Sequence, residues 1–123
     1  MKKLLLLLMI SSVVDAEVPS PATDSVFALA EANAFLAICH ESPVYESLSN
    51  EKKQDLLKLR SRLLDLVKGI SDNYNDETII ADYRATSSKL SSDEQLISFS
   101  KGKFQYCDDE LFFEMKSFIA EFE

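Results

Sequence analysis

The sequence predicts an all-α protein: one compact domain of four main helices and one short helix, closed by one disulfide. Three observations lead there. Apolar residues recur at steps of three and four in long segments, which is the period of a helix face. Alternating strand runs and Asn-Gly or Asp-Gly hairpin signals are missing, and the chain has only 2 glycines. Two cysteines, Cys39 and Cys107, stand far apart in a chain that begins like an exported one.

That beginning is a processing signal. Lys2 and Lys3 form a positive n-region, Leu4 to Ile10 an unbroken apolar run, and Val14-Asp15-Ala16 a small-residue end, so cleavage is expected after Ala16. A membrane span needs about 20 apolar residues, more than this run supplies. Residues 1–16 are therefore read as a signal peptide, 17–23 as a flexible leader with Pro19 and Pro21, and 24–123 as the helical domain. The short n-region and leucine block look bacterial, and the expected location is the periplasm or the medium.

The first helix is expected from Asp24 or Ser25, with Val26, Phe27, Leu29, Ala30, Ala34, Phe35, Ile38 and Cys39 on its apolar face. It should stop by Ser42, because Pro43 disfavours helical geometry in the residue before it. Val44, Tyr45 and Leu48 read as a short irregular turn. From Ser49 to Ile70 the pattern is strongest: Leu56, Leu59, Leu63, Leu66 and Ile70 mark one face, and Lys58, Arg60, Arg62, Asp65 and Lys68 stand between. Ser49 or Asn50 is the N-cap. This helix is expected to organise the fold, with the other segments covering its face.

Ser71 to Asp76 is the most polar, turn-rich run. Asn75 or Asp76 is expected to cap a helix carrying Ile79, Ile80 and Tyr83, which should fade at Thr86-Ser87-Ser88. Ser92 and Gln95 match a capping box ahead of Leu96, Ile97 and Phe99. A bend is expected at Lys101-Gly102-Lys103. The last segment is periodic again, with Phe104, Cys107, Leu111, Met115, Phe118 and Phe122 on one face, broadened by Phe112, Phe113 and Ile119.

Charge and composition narrow the function. The formal net charge is −8, and an acidic chain is a poor ligand for nucleic acid or anionic lipid, whose phosphates need a basic face. In an oxidising compartment Cys39 and Cys107 are expected to pair; two free thiols are the alternative. A bridged Cys39 is no nucleophile, and its neighbour His40 points about 100° away around the helix, so the pair is not read as catalytic. Ser-x-x-Lys, Gly-x-Ser-x-Gly and glycine-rich phosphate loops are missing, and one His with two distant Cys is not a zinc ligand set. No enzyme, metal or cofactor is expected. Asp108, Asp109 and Glu110 read either as favourable charge at a helix N-terminus or as a surface for a cation or basic partner. Phe112 and Phe113 read either as core or as an interface with a second copy or a client. The candidate binding residues are Asp72, Asn73, Tyr74 and Asn75, a tyrosine among asparagines and an aspartate in an exposed loop, set against an ordinary helix connection.

The layout resembles the periplasmic immunity proteins that protect bacteria from type VI secreted cell-wall amidases. The likeness lies in small helical size, a signal peptide, one early and one late cysteine (Cys39 and Cys107), and a helix after the second, here Asp108-Asp109-Glu110-Leu111 to Ile119. It spans most of residues 25–122. It implies a homodimer that plugs a hydrolase groove with a protruding loop, by position Asp72 to Asn75. The chain is also similar, in size, helicity and single disulfide, to acid-stress periplasmic chaperones. That likeness implies acid-triggered exposure of apolar faces to unfolded clients.

Overall fold

An alanine-rich segment with few β-branched residues favours a helix, and in the computed structural model α1 runs from Pro21 to Glu41. The structure describes residues 21–123; the expected signal peptide and the first residues of the leader lie outside that range. Helix α1 is described from Pro21 onward, inside the stretch 17–23 that the sequence reading gives to the leader. It ends before Pro43, as expected, and Ser42 closes it by donating from its N–H and its hydroxyl to the Cys39 carbonyl at 3.1 and 2.8 Å.

Helix α1 lies at the centre. Leu29, Ala30, Ala32, Ala34, Phe35, Leu36 and Cys39 are each 0 % exposed, and Val26, Ala37 and Ile38 are buried too. It packs against α2 (Asn50–Tyr74), α3 (Thr78–Ser91) and α4 (Glu94–Phe104). The expectation that the Ser49–Ile70 helix organises the chain is thereby corrected: a helix enclosed by several neighbours needs no polar face and so carries no amphipathic signature. A 3-10 turn at Tyr45–Ser47 stands where the irregular turn was expected.

Helix α2 is capped by Ser49, whose hydroxyl accepts from the Lys52 N–H at 3.1 Å. Its buried residues are Leu56, Leu59, Leu63, Val67 and Ser71, so the inward line drifts off Leu66 and Ile70. A straight helix has 3.6 residues per turn, and steps of four follow such a drifting line. Gly69 does not end the helix. Helix α3 does not fade at Thr86-Ser87-Ser88: Ser87 is buried and accepts from Asn33 Nδ2 at 2.6 Å, so a tertiary partner satisfies it inside the helix.

Asp93, not Ser92, caps α4, accepting from the N–H groups of Gln95 and Leu96 at 2.8 and 3.3 Å, while the Ser92 hydroxyl donates back to the Ser88 carbonyl. Lys101-Gly102-Lys103 lies within α4. The bend comes at Gln105 and Tyr106, both left-handed with φ of 47° and 71°. Their N–H groups satisfy the Lys101 and Ser100 carbonyls at 3.1 and 3.2 Å, the bonding of a helix C-terminus that usually employs glycine. Phe104 thus belongs to the end of α4, and Cys107 to the turn before α5 (Asp109–Phe122).

Asp108 caps α5 through the Leu111 N–H at 3.1 Å, with Asp109 and Glu110 in its first turn, where carboxylates complement the helix dipole. This accounts for the acidic run. Leu111, Phe112, Met115, Phe118 and Ile119 are buried, while Phe113 is 63 % exposed, so the two neighbouring phenylalanines separate into core and surface. Helices α2 and α5 run in the same direction, joined by ion pairs Lys52–Asp109, Asp55–Lys116 and Arg62–Glu123. Cys39 and Cys107 form the expected disulfide, with Cα atoms 5.1 Å apart, fastening the end of α1 to the α4–α5 turn. The fold is all-α, and the described residues form five α-helices.

Candidate functional site

The sequence placed its binding residues in a loop, and the structure places most of them on a helix. Asp72, Asn73 and Tyr74 form the last turn of α2, and Asn75 is its C-cap, left-handed at φ 52° and ψ 47°. Asparagine tolerates that conformation better than most residues other than glycine. The connection to α3 is therefore only Asn75, Asp76 and Glu77.

This corner is held from within. The Asn75 N–H donates to the Asp72 carbonyl at 3.2 Å, and the Asp76 N–H to the Ser71 carbonyl at 3.0 Å. The buried Ser71 hydroxyl returns a bond to the Asp76 carbonyl at 2.8 Å. Asp76 Oδ1 accepts from the Thr78 N–H and hydroxyl at 3.0 and 2.6 Å, opening α3. These Thr78 bonds, the hydroxyl's first, hold the Asp76 carboxyl below its ordinary range. A carboxylate with a depressed folded pKa contributes stability above its unfolded pKa and loses it as pH falls through the folded one. The bonds from Thr78 to Asp76 therefore persist at neutral pH and weaken in acid.

Asp72 to Thr78 are all exposed, and Tyr74 is 53 % exposed at the tip of α2. The four predicted residues are all exposed at the end of α2, and the Tyr74 ring stands clear of the core. What the arrangement offers is contact: a rigid ring, amide groups and two flanking carboxylates. Among the described residues, no group of three or more His, Cys, Asp or Glu is placed to hold a metal ion, and no helix is long and apolar enough to cross a membrane.

The pair Cys39 and His40 separates as the helix geometry required. Cys39 is in the disulfide, and His40 turns to Arg60 and Tyr45. There the structure assembles a second polar group that the sequence reading missed. Arg60, placed on the wet face of its helix by the pattern, is half-buried and donates from Nε to Asn33 Oδ1 at 2.9 Å and from Nη1 to His40 Nδ1 at 3.2 Å. Arginine only donates, so Nδ1 is the acceptor and His40 is the neutral tautomer with its proton on Nε2. Asn33 in turn donates a hydrogen bond from Nδ2 to the Ser87 hydroxyl, linking α1, α2 and α3. The available signal is Asn33, which with Glu31 is one of two polar residues in the alanine-rich middle of α1.

Compared with protein-family models, with curated proteins and with solved structures, the chain finds no match.

Proposed function

We propose that this is an exported, non-enzymatic binding protein that blocks a secreted hydrolase of the cell-wall amidase class by steric occlusion, with the α2–α3 corner as the contact. The observation that carries the reading is Tyr74, half exposed on a corner whose backbone is fixed by its own hydrogen bonds. A preformed aromatic projection loses little entropy on docking, which is how rigid inhibitors gain affinity. The cysteine layout shared with periplasmic immunity proteins supports the same assignment. The acidic surface speeds the approach to a basic partner. A homodimer that presents two such corners, in the periplasm or the medium, is part of the proposal.

The test is a capture experiment with the oxidised protein on envelope extract and culture medium, at pH 7 and at pH 3. The expected result is one stoichiometric hydrolase at pH 7, inhibited on binding, with affinity falling about tenfold or more in Tyr74→Ala, as for an aromatic contact at the centre of an interface. A mixture of unfolded proteins held only at pH 3 would replace this reading with that of an acid-activated chaperone. Inhibition unchanged in Tyr74→Ala would move the contact elsewhere.

A further inference from the structure

Among the described residues four Lys and Arg side chains are half-buried, Lys52, Lys53, Arg60 and Arg62, and all stand on α2. Three of them meet a carboxylate of the same chain: Lys52 meets Asp109, Lys53 meets Glu46 and Arg62 meets Glu123. Arg60 does not. Its partners are the neutral Asn33 and His40, on Nε and Nη1, and within the described residues its Nη2 donates to nothing. A guanidinium drawn partly out of water is normally paired, because desolvation without an opposite charge is costly. Asn33 and His40 fix its plane, and the two Nη2 protons remain for an acceptor from outside.

The apolar residues beside Arg60 are incompletely covered as well. Leu57, three positions before it, is 51 % exposed, and Leu64, four positions after it, is half-buried. Residues three and four apart are neighbours on a helix surface, so Leu57, Arg60 and Leu64 make one stripe two turns long. Apolar anchors seven positions apart with a polar contact between them are the pattern by which amphipathic helices dock. The flank of α2 that faces α5 is already occupied by the three ion pairs to that helix.

We infer that the Leu57–Arg60–Leu64 stripe docks an acidic amphipathic helix of a partner protein. The partner's apolar residues cover Leu57 and Leu64, and a carboxylate between them completes Arg60. Charge decides the kind of partner. A neutral or basic helix would bury the guanidinium still without a counter-charge. A second copy set antiparallel about the same stripe would bring Arg60 against Arg60. The chain as a whole, at net charge −8, repels an acidic helix, so the attraction is local to this stripe. Arg60 and Tyr74 are about 21 Å apart along α2 at the rise of a helix, so this face stands or falls independently of the Tyr74 corner.

The full, oxidised protein is titrated, at pH 7 and fixed ionic strength, into a dye-labelled synthetic helix of Leu, Ala and Glu whose glutamates flank a leucine stripe. The same helix with Gln for Glu is the control, and fluorescence anisotropy reads binding. The Glu helix is expected to bind along a saturating curve, about tenfold tighter than the Gln helix, the size of one hydrogen bond between charged groups. Arg60→Gln should remove that preference. Leu57→Ser, at an exposed position, should weaken both helices while melting like the parent. Lys58→Gln, which removes an exposed cation next to Leu57, should change neither. Equal affinity for the two helices, a preference that survives Arg60→Gln, or binding that ignores Leu57→Ser would overturn the docking face. Self-association lost in Leu57→Ser would give the face to a second copy, and binding to anionic lipid vesicles lost in that variant would give it to a membrane; either overturns the assigned partner.

Discussion

Helices α1 and α2 are the two longest elements, and they solve opposite problems. Helix α1 is buried at ten apolar positions between Val26 and Cys39, and four of them are alanines that let neighbours approach. Helix α2 buries one line, from Leu56 to Ser71, flanks it with the partly buried Leu64, Leu66 and Ile70, and turns its opposite face to water and to ion pairs. The lesson concerns what periodicity reports. A hydrophobic stripe marks a helix with a boundary between core and solvent, and a helix inside the core has no such boundary. The most legible helix is thus a surface helix, and the one that organises the packing is written in alanine content and in the lack of a polar face.

The sharpest way to break this comparison is to truncate one apolar side chain in each helix. Phe35 is fully buried in α1 and meets Phe99 and Phe104 at ring-centroid distances of 6.0 and 5.8 Å. Phe35→Ala should destabilise by about 3–5 kcal/mol. Leu57→Ala, on a side chain 51 % exposed in α2, should stay within about 0.5 kcal/mol. Urea denaturation of both variants decides it: equal losses would mean that α1 is not the centre.

Next in size is the disulfide. Replacing Cys39 and Cys107 together by Ala removes a bridge across 68 positions and should cost about 2–4 kcal/mol, the usual range for a native bridge. Because the bridge fastens α1 to the α4–α5 turn, amide exchange should rise first around Gln105 and Tyr106, while the middle of α2 keeps its protection. Exchange rising first in α2 would place the weak point on the wrong side of the molecule.

The smallest effect has the opposite sign. A Cβ added at Gly69, near the end of α2, meets nothing within 4 Å. Gly69→Ala should therefore stabilise by about 0.5–1 kcal/mol through helix propensity alone, measured as a rise in the urea midpoint. Small residues are structural in α1 and incidental in α2, and a loss of stability in this variant would say otherwise.

Much of this is legible in the sequence. The helix count, the stop before Pro43, the Ser49 cap and the Cys39–Cys107 bridge follow from local chemistry acting at short range or from having two cysteines and no other partners. Helix ends were read less well, and for a common cause. Ser87 and the Lys101-Gly102-Lys103 run look like breakers, yet Ser87 finds Asn33 across the interior and Gly102 is carried along by the burial of Phe104 and Ser100 beside it. Tertiary partners override local propensity there. The candidate residues Asp72 to Asn75 were found as a group but assigned to a loop, because the left-handed cap at Asn75 lets α2 run on to Tyr74. Arg60 was invisible as a site, since nothing in its own neighbourhood announces that Asn33 and His40 will turn toward it.

The three ion pairs between α2 and α5 have one further consequence. Along α2 the signs run plus, minus, plus at Lys52, Asp55 and Arg62; along α5 they run minus, plus, minus at Asp109, Lys116 and Glu123. Each pair is exposed enough to add little to stability by itself. Sliding α5 along α2 from one charge to the next, however, sets like against like: Lys52 meets Lys116, or Asp55 meets Asp109. The alternation works as a vernier: it disfavours axial offsets of α5 along α2, in the same direction as the Cys39–Cys107 bridge that fixes where α5 begins.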